Sequence, residues 1–140
     1  MRPVHRPGLR SWALLPAAVL VLSGLAAGCS STPAYCTDAS QLKTSVQDLG
    51  NVDINVHDLS SVNTAVSKVQ ADANKFAADA KSAYPSQTTA LQNSLSSLQT
   101  AVTSAMSQPS VTTVAAVVSS VTQVKTAAGN VQTAVKGACQ

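Results

Sequence analysis

The stretch LSSVNTAVSKVQADANKFAADAKSA, residues 59–83, decides the fold class of this 140-residue chain. Its apolar residues recur at alternating intervals of three and four, which is the spacing of a helix that buries one side. The members of this seam are Leu59, Val62, Val66, Val69, Ala73, Phe76, Ala80 and Ala83. Pro85 follows, and because proline disrupts a helix interior, the helix is predicted to stop at Tyr84-Pro85.

Three further segments repeat this spacing, one before the stretch and two after it. Their seams are Ala39, Leu42, Val46 and Leu49 in 37–49; Leu91, Leu95, Leu98, Val102 and Ala105 in 86–108; and Val114, Val117, Val121, Val124, Ala128, Val131, Val135 and Ala138 after Pro109. Thr37 or Asp38 is predicted to cap the first helix and Gly50 to end it, and Ser110 is predicted to cap the last.

The fourth segment is rich in valine, which favours strands. Its valines do not alternate, however, so the three-and-four period predicts a helix. Gly129 inside this helix predicts a bend or a close contact. Residues 52–57 do alternate with period two, but a lone strand has no partner, so they are predicted to form an extended connector. Four helices with short links predict an all-α fold, an antiparallel up-down-up-down four-helix bundle.

The N-terminus has the three parts of an export signal. Arg2, Arg6 and Arg10 supply positive charge, residues 12–22 are apolar, and small residues precede Cys29. The apolar run is shorter than the ~20 residues of a stable membrane span, so a permanent transmembrane helix is the weaker alternative. Residues 1–28 are therefore predicted to be a signal peptide.

The motif Leu25-Ala26-Ala27-Gly28-Cys29 resembles a bacterial lipobox, although the leucine stands one residue further from the cysteine than is usual. The resemblance implies that Cys29 is lipidated and becomes the first residue of the mature protein. Ordinary secretion, with cleavage near a small residue, is the alternative. Residues 29–35 are then a lipidated tether and residues 36–140 the helical domain.

The cysteine count supports export with lipidation. Three cysteines are an odd number for an exported protein, and lipidation of Cys29 leaves Cys36 and Cys139 as a pair. A disulfide is permitted outside the cytoplasm. An even number of antiparallel helices brings both cysteines to the same pole, so the bundle is predicted to be closed by an N-to-C-terminal disulfide that faces the membrane.

The chain also has a wider pattern: an early cysteine, a helix start, a Val-Asp loop and a terminal cysteine. Cys36, Leu42-Lys43-Thr44-Ser45-Val46, Val52-Asp53 and Cys139 resemble the pattern of small exported actinobacterial helical proteins and lipoproteins of unassigned function. The resemblance implies a helical protein of the cell envelope. It carries no active site that could be transferred to this chain.

Charge and composition exclude several classes of function. Beyond the three N-terminal arginines, six lysines balance six aspartates, so the body of the chain is neutral despite a formal net charge of +3. Only four residues are aromatic. A neutral chain with so few aromatic rings is not expected to bind nucleic acid.

No pattern in the chain predicts catalysis, a cofactor or a metal. Asp53, Asn55 and His57 have the spacing of a calcium loop, but Asp58 and Thr64 stand where such a loop needs Gly and Glu. No Cys-x-x-Cys pair accompanies His57 for zinc, and no nucleophile elbow marks a serine. The connector is therefore expected to be solvated, as is the charge stripe Lys68, Asp72, Lys75 and Asp79.

The third helix, residues 86–108, carries no charge, which is typical of an interface centre. Gln92 and Ser96 lie off its seam and are the candidate interaction face; a simply hydrated face is the alternative. Phe76 and Met106 are expected to fill the core. The predicted function is non-enzymatic: a lipid-anchored module at the outer face of the cytoplasmic membrane that binds another envelope protein or itself. The alternative is a carrier that holds an apolar small molecule between its helices.

Overall fold

The computed structural model describes residues 31–140, and these residues form four helices without a strand. The helices are α1 (Ala34–Gly50), α2 (Leu59–Ala80), α3 (Pro85–Ser107) and α4 (Val111–Val135). The all-α prediction is thereby confirmed, including the helical conformation of the valine-rich fourth segment. The predicted signal peptide and Cys29 lie outside the described residues.

Each helix packs against two others, in the pairs α1–α2, α2–α3, α3–α4 and α1–α4. The predicted seams meet in one apolar core whose largest fully buried side chain is Phe76. Apart from the half-buried Val114, the exceptions among the seam residues are Ala83 and Ala138, which are exposed. Both follow the last residue of a helix, because α2 ends at Ala80 and α4 at Val135.

The start of α1 differs from the prediction. The helix begins at Ala34, and neither Thr37 nor Asp38 caps it; Pro33 stands at the cap, where its carbonyl accepts the N–H of Cys36 at 2.9 Å. In this additional turn, the rings of Tyr35 and Tyr84 pack edge to face with their centroids 5.5 Å apart. The last residues of the predicted tether are therefore helical.

Two of the helix caps explain where α2 and α4 begin. The Asp58 carboxylate accepts the backbone N–H of Ser61 at the start of α2. Ser110, as predicted, caps α4: its hydroxyl accepts the backbone N–H of Thr113, and the Thr113 hydroxyl accepts the backbone N–H of Ser110, which completes a capping box. In both cases a side-chain oxygen satisfies a backbone donor that has no partner within the helix.

Serine and threonine hydroxyls on the outer sides of the helices bond back to the carbonyl four residues earlier. Examples are Thr44 to Ser40, Thr100 to Ser96, and Thr126 to Thr122. This local bonding satisfies the hydroxyls inside the helix that carries them. It shows how a chain so rich in these residues remains helical when its seam is buried.

The connector between α1 and α2 contains no strand. Val52 and Ile54 are half-buried against the core, and Asn55 folds the rest into a turn by accepting the N–H groups of His57 and Asp58 at 2.9 and 3.1 Å. At the opposite pole, Cys36 and Cys139 are joined by a disulfide with their Cα atoms 5.5 Å apart. None of the helices in residues 31–140 has an apolar stretch long enough to cross a membrane.

Candidate functional site: an uncharged groove between α2 and α3

Gln92 and Ser96 project from α3 into solvent, as their positions off the seam predicted. Both line an open groove of about 510 Å³ between α2 and α3, which we call the α2–α3 groove. Its other lining residues are Gln70, Asn74, Leu95, Gln99 and Thr100. The structure therefore places the two predicted residues in a concave surface and not on an isolated convex helix.

The groove combines a fixed floor with unoccupied hydrogen-bonding groups. Leu95 is buried beneath it, and the side-chain amide of Gln70 donates from Nε2 to the side-chain oxygen Oε1 of Gln99 at 3.0 Å, which links the two helices. Within residues 31–140, the side chains of Asn74, Gln92 and Ser96 make no hydrogen bond to protein atoms. These side chains can therefore donate to and accept from a partner without breaking a bond of the fold.

No charged side chain lines this groove. The sequence has no Asp, Glu, Lys, Arg or His from Ser82 to Val124, a range that includes all of α3 and the first half of α4. Covering such a surface removes no ion from water, so the desolvation penalty that a buried charge would impose is absent.

Charged groups instead cluster where α1 meets α2. Lys68 bonds to Asp48 of α1 at 2.9 Å, and Lys75 lies 3.9 Å from Asp72. Burial raises the pKa of Asp38, and a hydrogen bond with the neighbouring carboxyl of Asp79 raises the pKa further. The charge stripe that was predicted to be solvated thus has one sheltered member, because the Asp72 side chain is only 12% exposed.

The polar residues of the connector are not brought together as a site. Asn55 shapes the turn, Asp58 caps α2, and His57 is exposed. Hydrogen bonds from the hydroxyl and backbone N–H of Ser61 lower the pKa of Asp58. No group of three or more His, Cys, Asp or Glu side chains in the described part of the chain is arranged to hold a metal ion.

Met106 was expected in the core, and this was wrong. It is 49% exposed, because it follows the seam residue Ala105 by one position and so lies about 100° around the helix from it. Val111 and Val118 of α4 are also exposed. These apolar side chains extend the uncharged surface towards the α3–α4 turn.

A second concave feature was missed by the sequence reasoning. A cleft of about 320 Å³ lies between α1 and α4, and we call it the α1–α4 cleft. Its lining residues are Lys43, Val46, Gln47, Lys125, Ala128, Gly129 and Gln132. Of the two alternatives predicted at Gly129, a bend or a close contact, the close contact is wrong, because a Cβ placed there would meet no atom within 4 Å. The sequence signal at this cleft was a glycine inside a predicted helix.

Comparisons of the chain with protein-family models, with curated proteins and with solved structures found no match.

Proposed function

We propose that this chain is a non-enzymatic protein of the cell envelope that contacts another envelope protein, or a second copy of itself, through the α2–α3 groove. The observation that carries the proposal is the position of Gln92 and Ser96 in an uncharged groove, where neither side chain has a hydrogen-bond partner within residues 31–140. Depletion of charge is characteristic of interface centres.

The scaffold that presents the groove is, in this proposal, an antiparallel up-down-up-down bundle. Three interhelical links support that topology. The disulfide joins the start of α1 to the residues after α4. Gln132 near the end of α4 donates to the Ala39 carbonyl near the start of α1, and Asp48 near the end of α1 pairs with Lys68 in the first half of α2.

The proposed location is the outer face of the cytoplasmic membrane, with lipid on Cys29 as the anchor. The lipobox-like motif and the Cys36–Cys139 disulfide support this location, since disulfides persist in oxidising compartments. Few residues separate Cys29 from Cys36, so the disulfide pole would lie next to the membrane. Secretion without lipid remains the alternative.

Labelling tests the anchor. Wild-type protein should incorporate radiolabelled palmitate and sediment with membranes, whereas Cys29→Ala should do neither. Cys36→Ala serves as the control, because it should keep the label while losing the disulfide. Label that persists in the Cys29→Ala protein would contradict the anchor.

Lysine substitutions test the contact face. Gln92→Lys with Ser96→Lys should abolish association with the partner or with a second copy, because a charge buried in an interface without a partner is strongly unfavourable. The matched control is Asn93→Lys with Ser97→Lys, which replaces an amide and a hydroxyl at the same spacing on exposed positions outside the groove.

The readouts are crosslinking of the exported protein in its envelope, and sedimentation of the purified protein. Circular dichroism should be the same for both double variants, since exposed substitutions change stability by only about 0.5 kcal/mol. The assignment of this face would be contradicted if both double variants lost association equally, or if neither lost it.

The second candidate function is that of an envelope carrier for a small molecule. The observation that favours it is the α1–α4 cleft, whose floor is apolar and lies between two helices. The two candidates use different surfaces and can be tested separately.

A further inference from the structure

The α1–α4 cleft has an apolar floor between two positively charged side chains. Val46 and Ala128 form the floor and are almost fully buried. Lys43 borders the cleft from α1 and Lys125 from α4. At about 320 Å³, the cleft is at the small end of the ~300–1,000 Å³ that small-molecule sites occupy.

Two contacts between α1 and α4 flank the cleft, which is open to solvent. At one end the Gln132 amide donates to the Ala39 carbonyl. At the other, the Lys125 ammonium lies 3.5 Å from the point where a side chain would begin at Gly50.

Gly129 lines the cleft without serving the packing of the helices. Glycine is unfavourable inside a helix, and a close approach of another element is the usual structural reason for it. Here an added Cβ would meet nothing within 4 Å. The missing side chain leaves the wall of the cleft open, so the effect of Gly129 is on the space for an occupant.

The two lysines have no carboxylate partner in the described residues. The ion pairs found there are Asp48–Lys68 and Asp72–Lys75, and neither includes Lys43 or Lys125. No Asp lines the cleft. An anionic group bound at the rim would complement both ammonium groups, whereas a cationic one would be repelled by them.

We propose that the α1–α4 cleft binds a small amphiphile that has one apolar chain and an anionic head group. The apolar floor takes the chain, and Lys43 and Lys125 take the head group. The cleft is too small for a lipid with two long chains. This inference rests on the second candidate function and is independent of the α2–α3 groove.

Binding can be measured with three probes that share a ten-carbon chain: decanoate, decanol and decyltrimethylammonium. The protein is the full chain with Cys29→Ala, exported by a bacterial host with its disulfide closed, so that no anchor competes with the probe. Decanoate, kept below its micellar concentration, should shift the amide NMR signals of residues 43–47 and 125–132. Decanol should bind more weakly, and decyltrimethylammonium weakest of all.

Two sets of variants distinguish the contribution of the probe's head group to binding from that of its apolar chain. Lys43→Glu with Lys125→Glu should weaken decanoate binding about tenfold or more, and Lys81→Glu with Lys136→Glu is the control with the same change of net charge. Gly129→Leu should abolish binding while raising the melting temperature, because leucine fills the open space and favours the helix. Asn130→Leu, exposed and outside the cleft, is its control.

Three results would overturn the proposal: no binding of decanoate up to about 1 mM, equal binding of decanoate and decyltrimethylammonium, or unchanged binding by Gly129→Leu. Gln92→Lys with Ser96→Lys should bind decanoate normally. Failure of the contact face is thus distinguished from failure of the cleft.

Discussion

The α1–α2 half and the α3–α4 half of this protein share one core but differ in what they show to solvent. All six aspartates lie in residues 38–79, and both ion pairs of the described residues are in α1 and α2. From Ser82 to Val124 no side chain is charged, and the surface consists mainly of amides, hydroxyls and apolar groups that include Met106, Val111 and Val118. The same three-and-four seam builds all four helices, so the fold places few demands on the outward residues. The halves therefore differ in their outward residues and not in the seam that forms the core.

The largest expected effect comes from the bond that joins the two halves. The Cys36–Cys139 disulfide links α1 to the end of α4 across 103 residues of sequence. In the chain-entropy model a loop of this length stabilises by about 4–5 kcal/mol. Reduction should therefore lower the melting temperature by well over 10 °C, taking ~4–8 °C per kcal/mol.

Thermal circular dichroism with and without dithiothreitol measures this effect. The Cys29→Ala chain is used, so that Cys36 and Cys139 are the only cysteines present. Two free thiols in the exported, unreduced protein would contradict the pairing, and a shift of only a few degrees would contradict its energetic weight.

A pair of truncations sharpens the distinction between core and surface. Phe76→Ala removes the largest fully buried side chain and should destabilise by about 3–5 kcal/mol. Met106→Ala removes a side chain that is half exposed, and the change should be within about 0.5 kcal/mol. Urea denaturation followed by circular dichroism gives both values. A similar decrease in the free energy of unfolding in the two variants would mean that Met106 is part of the core.

The caps of α2 and α4 should respond differently to acid. Ser110→Ala should destabilise by about 1 kcal/mol, and by the same amount at neutral and acid pH, because the hydroxyl does not titrate. Hydrogen bonds from Ser61 lower the pKa of Asp58 below its ordinary 3.8, so its stabilisation is present above that value and is lost as the pH falls through the lowered one.

Asp58→Ser should keep the cap and remove this acid sensitivity. Urea midpoints at about pH 7 and about pH 3 measure the two caps side by side. An identical pH dependence in wild type and Asp58→Ser would contradict the role given to the carboxylate.

The smallest effect on stability is expected at Asp38, and its pH dependence is opposite in sign to that of Asp58. Burial and the Asp79 carboxyl raise the pKa of Asp38 above 3.8, so the folded state holds this proton more tightly than the unfolded state. The stability contributed by the bound proton is lost as the pH rises through the raised pKa. Asp38→Asn should therefore raise the urea midpoint at neutral pH and not below about pH 3. A lower midpoint at neutral pH would show that the ionised carboxylate stabilises the contact of α1 with α2.

Much of this architecture could be predicted from the sequence. The period of the seam identified nearly every core residue, and the breakers Gly50, Pro85 and Pro109 separated the helices. The period does not predict which residues of two different helices become neighbours. The partner of Lys68 was sought along its own helix, whereas the structure pairs it with Asp48 of α1.

The candidate sites show the same limit. Gln92 and Ser96 were predicted to point outward, because direction follows from the position on one helix. The groove around them needs Gln70 and Asn74 of α2, which only packing brings near. The α1–α4 cleft arises in the same way from two helices far apart in sequence. The early start of α1 was missed because Pro33 has no side-chain oxygen that could accept a backbone N–H. Thr37 and Asp38 have such oxygens, so the sequence favoured them as the N-cap.

The central claim, that the uncharged α2–α3 groove makes the contact, is tested most directly by photo-crosslinking in cells of the native host. A photoreactive amino acid replaces Gln92 in the α2–α3 groove or, as the matched control, the exposed Gln41 of α1 beside Lys68 and Asp72. The account predicts a discrete adduct, of a partner or of a second copy, from position 92 and none from position 41. An adduct from position 41 alone, or equal adducts from both positions, would contradict it.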